Sequence, residues 1–255
     1  MTVAAAGSPW LLVPIPRPQA PVRLICLAGA GSGAAGYVPW ARALADRPVE
    51  VSAVRLPGRE SRLHEAPVAR LDVLIDQLAP ALQPQFDRPY CLFGHSMGAL
   101  VAFELARRIR ERGWTAPAHL FVSAARAPQV PSDQPPLHGL ADAEFIEAVS
   151  TRYGGIPAAV REHQELMDLV LPALRADLTL VEDYAYRAGE PLACPITAFG
   201  GREDAGVTET ALDAWREQTG GAFARHMFNG DHFYVNHARD LLIDVMLPHL
   251  VRAAG

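Results

Sequence analysis

Six short runs of mainly apolar residues recur along the chain, separated by segments with a different pattern. The run at 22–28 is apolar at every position except Arg23. A continuous apolar run of this length is typical of a strand buried on both faces of a parallel sheet. The six predicted strands are residues 22–28, 49–56, 90–93, 118–123, 195–200 and 222–228.

Between these runs, apolar residues recur at helical spacing. In the segment 68–82 they fall on one helical face, at Leu71, Leu74, Ile75, Leu78 and Leu82. Further helices are predicted near 37–45, 99–112, 208–218 and 237–251. Strands that alternate with helices indicate an α/β fold, with a mostly parallel sheet covered by helices on both faces. The Ala/Pro-rich lead-in at 1–21 predicts only a short edge strand at 10–13.

The alternation is interrupted at about 127–190. Prolines at 128, 131, 135 and 136 predict an extended hinge. Helical stretches follow near 142–152, 158–170 and 172–186, with no strand among them. A separate domain would normally have its own sheet or a larger core, and this segment is only about sixty residues long. We therefore predict a single domain, 1–255, that carries a helical lid insertion.

The turn Gly94-His95-Ser96-Met97-Gly98 joins a predicted buried strand to a helix. A serine with glycines at −2 and +2 in this position is the nucleophile elbow pattern, which exposes a strained Ser at the strand end. Side chains at 94 or 98 would collide with neighbouring backbone. The helix N-terminus also offers N–H groups to a developing negative charge. Ser96 is therefore the candidate nucleophile; the competing interpretation is a plain Gly-rich connecting loop.

A serine nucleophile needs a base within hydrogen-bond reach and an acid that orients that base. After an elbow the order along the chain is Ser, Asp, His. Of nine histidines, His232 alone lies in the short loop after the final strand. For the acid we choose Asp204 over its neighbour Glu203, since a short carboxylate just past the preceding strand suits a fixed loop.

The oxyanion hole is expected to use the N–H of Met97, the residue after the nucleophile, and a donor from the loop 28–31. A dinucleotide-binding glycine loop is the competing interpretation of residues 29–33. It is weak, because the spacing of that motif is not matched and no acid ends the next strand.

The amino-acid composition excludes several reaction types and binding partners. All 23 basic residues are arginine, which excludes Schiff-base and Ser-Lys catalysis. The net charge of −5 argues against nucleic acid, and no stretch suits a membrane span or a signal peptide. Cys26, Cys91 and Cys194 lack metal or disulfide spacing and predict buried reduced thiols. We expect a cytoplasmic protein that uses no metal and no organic cofactor.

Taken together, these motifs resemble those of the type II thioesterases that accompany polyketide and nonribosomal peptide synthases. The resemblance covers nearly the whole chain and rests on residues 24–31, 56–60, 94–98, 172–177, 194–197 and 230–233. It implies an α/β-hydrolase that removes acyl groups from the phosphopantetheine arms of acyl or peptidyl carrier domains. It also implies a Ser96–Asp204–His232 triad, with Met97 and Ala30 as the oxyanion donors. The chain departs from the family at Ala28 and Gly29, where Pro and an aromatic or His are usual.

Alternatives stay open at this stage. The same fold also serves carboxylesterases and peptidases that act on small free substrates, and a non-catalytic carrier-binding protein is a more distant possibility. The segment 55–62, which contains three arginines, is either a strand-ending turn with a solvated rim or a basic face for an acidic carrier.

Overall fold

The centre of the molecule is a seven-stranded sheet. Its strands are β1 Leu11–Leu12, β2 Val22–Leu27, β3 Val49–Val54, β4 Tyr90–His95, β5 His119–Ser123, β6 Ile196–Gly201 and β7 Phe223–Phe228. Their order in the sheet is β1-β3-β2-β4-β5-β6-β7. The structure, a computed structural model, describes residues 8–154 and 163–255. The short β1 pairs antiparallel with β3, and every other pairing is parallel.

Helices cover both faces of this sheet. Along β2, Ile25 and Leu27 pack on one face of the sheet, whereas Leu24 and Cys26 pack on the other. Alternate side chains of a strand point to opposite faces, so a strand buried on both sides has to be apolar almost throughout. The helices are α1 Val38–Ala43, α2 Leu71–Leu82, α3 Met97–Glu111, α4 Asp142–Tyr153, α5 Gln164–Glu182, α6 Glu209–Asp213 and α7 Arg239–Ala253. The predicted α/β-hydrolase architecture is confirmed.

Helices α4 and α5 lie between β5 and β6 in the chain; we refer to them as the lid segment, after the predicted insertion. They share a separate apolar cluster that includes Phe145, Val149, Met167, Leu174 and Leu178. The lid segment thus has its own small core, which packs above the carboxyl edge of the sheet.

One prediction for the lid segment is wrong. The helices expected at 158–170 and 172–186 are a single helix, α5, in the part of the chain that the structure describes; residues 158–162 lie outside it. Pro172 lies inside α5 and removes one backbone hydrogen bond. Met167 before it and Leu174 after it are buried in the same cluster. This shared packing keeps the helix continuous across the proline.

Smaller differences concern the ends of elements. The helix predicted at 208–218 is the short α6 followed by a 3-10 helix, Ala214–Gln218. The edge strand expected at 10–13 is reduced to two residues. All three cysteines are free and buried, as predicted. Within residues 8–154 and 163–255, no helix is long and apolar enough to cross a membrane.

Candidate active site

The nucleophile elbow connects β4 to α3. Ser96 has φ 53° and ψ −119°, a conformation that residues with a side chain rarely adopt. A Cβ at Gly94 would lie 2.1 Å from the carbonyl oxygen of Gly98, and a Cβ at Gly98 would lie 2.2 Å from that of Leu27. The two glycines therefore permit the tight crossing between strand and helix, and this crossing leaves Ser96 at the carboxyl edge of the sheet.

The three side chains expected to act together are joined by hydrogen bonds. Ser96 Oγ lies 2.9 Å from His232 Nε2, and His232 Nδ1 lies 2.8 Å from Asp204 Oδ2. These residues come from the loops after β4, β6 and β7, which the parallel register brings to one edge. The side chains of His232 and Asp204 are 8% and 3% exposed, so little water competes for their hydrogen bond.

The carboxylate beside His232 belongs to Asp204 and not to its neighbour. Asp204 Oδ1 accepts from the backbone N–H of Gly206 at 2.9 Å, which fixes the carboxylate in its loop. Glu203 is exposed, and its backbone N–H donates to the carbonyl of Gly230. The β6 loop thus presents one acid inward and its neighbour to solvent.

A second histidine, His95 of the elbow, packs behind His232. His95 is buried; its Nδ1 lies 3.0 Å from Ser123 Oγ, and this hydroxyl lies 2.6 Å from Tyr234 Oη. The ring centroids of His95 and His232 are 5.5 Å apart. Burial, together with the neighbouring His232, lowers the pKa of His95 to about 3. The imidazole behind the candidate base is therefore neutral.

Two cavities meet at Ser96. Cavity A, of about 270 Å³, lies between the lid segment and the loop 29–32, and its walls include Val149, Val170, Leu174 and Leu178. Cavity B, of about 290 Å³, extends along the residues after β5, and its walls include the charged residues Arg126, Asp133 and Arg152. Five residues line both cavities: Ser96, Met97, Tyr153, Val181 and His232. A substrate can therefore reach Ser96 with one end in each cavity.

The lid segment carries four large side chains that could border an acyl pocket: Phe145, Tyr153, Met167 and Leu171. Of these, Tyr153 lines both cavities, and its ring centroid is 5.3 Å from that of His232. Phe145 and Met167 are buried in the core of the lid segment, where Leu171 packs against them. Only Tyr153 among the four is placed to touch a substrate beside Ser96.

The expected oxyanion donors also border cavity A. Met97 is the first residue of α3, and the first N–H groups of a helix have no acceptor within it. Ala30 lies on the facing loop. A Cβ built on Gly29 would lie 3.4 Å from Ser96 Cβ and 3.3 Å from His95 Cδ2. A side chain at position 29 would therefore contact the elbow.

The arginines after β3 are engaged within the protein. Arg59 pairs with Asp177 of the lid segment, and Arg62 pairs with Glu65 while its guanidinium stacks on Trp10. Their side chains are only 11% and 7% exposed. The structure thus favours a structural role for this turn over a basic carrier-binding face.

A hydroxyl, an imidazole and a carboxylate joined in this order on such a sheet define a hydrolase of the α/β-hydrolase class. The comparisons with known proteins narrow this class. The family model described as the Thioesterase domain matches residues 22–248. The gramicidin S biosynthesis protein GrsT of Aneurinibacillus migulanus is 40% identical over 250 residues, covering 98% of this chain and 97% of that protein.

Solved structures that are similar to this chain are also thioesterases. The type II thioesterase BorB from the borrelidin biosynthetic cluster is 40% identical, with a TM-score of 0.86 over 94% of this chain and 97% of that chain. The RedJ thioesterase from the prodiginine pathway of Streptomyces coelicolor is 39% identical, with a TM-score of 0.84 over 91% of each chain. The chain belongs to the thioesterase family, within the type II group that the motifs predicted. It is an enzyme that hydrolyses thioesters.

Proposed function

We propose that this thioesterase removes acyl groups from the phosphopantetheine arms of acyl or peptidyl carrier domains. It would act as an editing or release enzyme of polyketide or nonribosomal peptide biosynthesis, in the cytoplasm, as one domain with a lid. The relatives and solved structures that belong to such pathways support this assignment. The observation that carries it is the hydrogen-bonded chain from Ser96 through His232 to Asp204, which opens onto both cavities.

In the acylation step, His232 Nε2 takes the proton of Ser96 as Oγ attacks the thioester carbonyl carbon. The hydrogen bond between Nδ1–H and Asp204 holds the imidazole in the tautomer that leaves Nε2 free to accept. It also stabilises the imidazolium that forms. His95 is neutral and adds no second positive charge behind the ring, so it does not repel the imidazolium of His232.

The negative charge of the tetrahedral intermediate develops on the former carbonyl oxygen. We assign its two donors to the N–H groups of Met97 and Ala30, two residues that line cavity A. The intermediate expels the pantetheine thiolate, whose low basicity makes departure easy. The thiolate takes the proton from His232 Nε2 and leaves as the thiol, so the imidazole is neutral again. Water that has lost a proton to His232 Nε2 then hydrolyses the acyl-Ser ester, and the proton returns to Ser96 Oγ.

The two cavities suit the two halves of the proposed substrate. The walls of cavity A are mostly apolar and match an acyl chain. Cavity B carries more polar and charged groups and matches the amides of a pantetheine arm. The carbonyl carbon would then lie where the cavities meet, beside Ser96.

The test is hydrolysis of one acyl group presented on a carrier protein, compared with the same acyl group in a small oxygen ester. Intact-mass spectrometry of the carrier measures release. We expect clear preference for the carrier thioester, and Ser96→Ala should lower turnover by at least about 10³-fold. A strong preference for the oxygen ester would identify a carboxylesterase or peptidase instead. Full activity in Ser96→Ala would overturn the site itself.

A further inference from the structure

A buried carboxylate on the lid segment accepts a hydrogen bond from the loop 29–32, which contains the proposed oxyanion donor Ala30. Asp177, on α5, is only 2% exposed. Its Oδ2 accepts from the backbone N–H of Gly31 at 2.9 Å. Arg59 donates to both of its oxygens, from Nη1 to Oδ2 and from Nη2 to Oδ1, each at 2.7 Å. A buried carboxylate is stable only when it is paired in this way.

Residues from the turn after β3 hold the same loop at further points. Arg59 Nη1 also donates to the carbonyl oxygen of Ser32 at 3.0 Å. Glu60 Oε1 accepts from the backbone N–H of Ala35 at 2.7 Å. The loop is therefore fixed at Gly31, Ser32 and Ala35 by three charged side chains that take no part in the proposed chemistry.

Gly31 is the residue immediately after the proposed donor Ala30. It has a φ of 70°, in the left-handed region that favours glycine, and a Cβ there would lie 3.0 Å from Leu174 Cδ1. The bond to Asp177 fixes the orientation of the Ala30–Gly31 peptide plane. Because the peptide is planar, only the two backbone angles of Ala30 separate this fixed plane from the Ala30 N–H.

We propose that Arg59 and Asp177 are positioning residues, which aim the Ala30 N–H at the oxyanion through the Gly31 hydrogen bond. This inference rests on the proposed function, because it takes Ala30 as a donor. It makes the oxyanion hole depend on α5, the helix that also supplies Leu174 and Leu178 to cavity A. The donor is correctly placed only when α5 is packed against the loop.

The variants separate positioning from a merely structural link. Asp177→Ala removes the acceptor, and Asp177→Asn keeps the shape and one acceptor oxygen. Arg59→Lys keeps a positive charge without the two parallel hydrogen bonds. The matched control is Asp142→Ala, which removes the ion pair between Asp142 and Arg175. That pair also joins α4 to α5, but it does not touch the loop.

Two measurements report on the oxyanion hole. The first is kcat and KM for an acyl thioester of a small thiol. The second compares a trifluoromethyl ketone with a thioether of the same acyl chain. Ser96 Oγ adds to the ketone carbon, its proton passes to His232, and the ketone oxygen becomes an oxyanion; the thioether forms none. The folded fraction is checked by near-UV circular dichroism and Tm.

Misplacing one donor should lower kcat of Asp177→Ala by about 10- to 100-fold, with KM within about threefold. Ketone affinity should fall by a similar factor, while thioether affinity stays constant. Asp177→Asn and Arg59→Lys should show losses of about three- to tenfold in the same pattern. If Asp177→Ala does not fold, the kcat values and ketone affinities of Asp177→Asn and Arg59→Lys test the proposal. Asp142→Ala should keep kcat within about twofold.

A lower Tm with unchanged kcat in the folded variants would overturn the proposal, as would an equal loss of ketone and thioether binding. These outcomes are distinct from a failure of the proposed function. That function fails if the wild-type enzyme does not release acyl groups from carriers, whatever the variants do with a small thioester.

Discussion

His95 and Ser123 are direct neighbours across the β4–β5 pair, and their side chains are hydrogen-bonded at 3.0 Å. Tyr234, two residues after His232, contacts the same Ser123 hydroxyl at 2.6 Å. Among the described residues, His95 Nε2 is buried without a hydrogen-bond partner. Protonation of this ring would bury a charge, and the pKa of His95 is accordingly lowered to about 3.

Folding stability should therefore depend on pH through His95. The unfolded chain binds a proton at His95 below about pH 6.5, whereas the folded chain does not until about pH 3. The unfolded state thus binds more protons in this window, so stability is full above pH 6.5 and is lost as the pH falls. Between pH 6.5 and pH 4.5, His95 should cost about 2 kcal/mol of unfolding free energy.

The measurement is urea unfolding of wild type and His95→Gln over this pH range. The variant should lose less stability on acidification than wild type. His64→Gln, at an exposed position, is the control for loss of a histidine and should follow wild type. Parallel curves for wild type and His95→Gln would contradict the assignment.

The strained backbone of Ser96 gives a stability prediction. Ser96→Gly should be more stable than Ser96→Ala by about 1 kcal/mol, because glycine adopts a φ of 53° without strain and this gain exceeds its entropy cost. The measurement is chemical unfolding of both variants. Ser150, inside α4, supplies the reverse case: Ser150→Gly should be less stable than Ser150→Ala. If the alanine variant were the more stable one at both positions, the backbone at Ser96 would not be strained.

Asp204 and Glu203 provide a matched pair for the acid. Asp204→Asn should lower kcat by about 10⁴-fold, because the amide can favour the wrong His232 tautomer. Glu203→Gln, one residue earlier and exposed, should keep kcat within about twofold. Steady-state kinetics on a single acyl thioester measures both. Loss of turnover in Glu203→Gln, with Asp204→Asn active, would reverse the assignment.

Val170 and Leu169 provide a matched pair for acyl preference. Val170 lines cavity A, whereas the adjacent Leu169 is 49% exposed. Val170→Trp should reduce the space for the acyl chain and lower kcat/KM for long chains about tenfold more than for short ones. Leu169→Trp should leave the chain-length profile unchanged. A panel of acyl thioesters of increasing length gives the comparison; an identical change in both variants would place the acyl chain elsewhere.

The sheet and the elbow were accessible to sequence reasoning because their signals are local. Burial on both faces forces β2 to be apolar at nearly every position, and the crossing at Ser96 forces glycine at 94 and 98. Asp204 was separable from Glu203 only by an argument about loop geometry. The loops after the strands, and not a long motif, bring His232 to Ser96.

What the sequence did not indicate depends on contacts between distant residues. Arg59 and Asp177 are 118 positions apart, so no local pattern links them. The sequence predicts separate helices at 158–170 and 172–186, whereas the burial of Met167 and Leu174 on either side of Pro172 is a tertiary effect. His95 similarly acquires its environment from Ser123 and Tyr234, which lie on other elements.

The continuity of α5 has a consequence for how this enzyme can change during evolution. Leu174 and Leu178 in the wall of cavity A are on the same helix as Asp177. We therefore expect a substitution that widens the cavity and admits a new acyl group to affect the helical turn that carries this carboxylate as well. Variants that accept a new acyl group would then be slow at first, and later substitutions in the loop that contains Ala30 and Gly31 would restore their turnover.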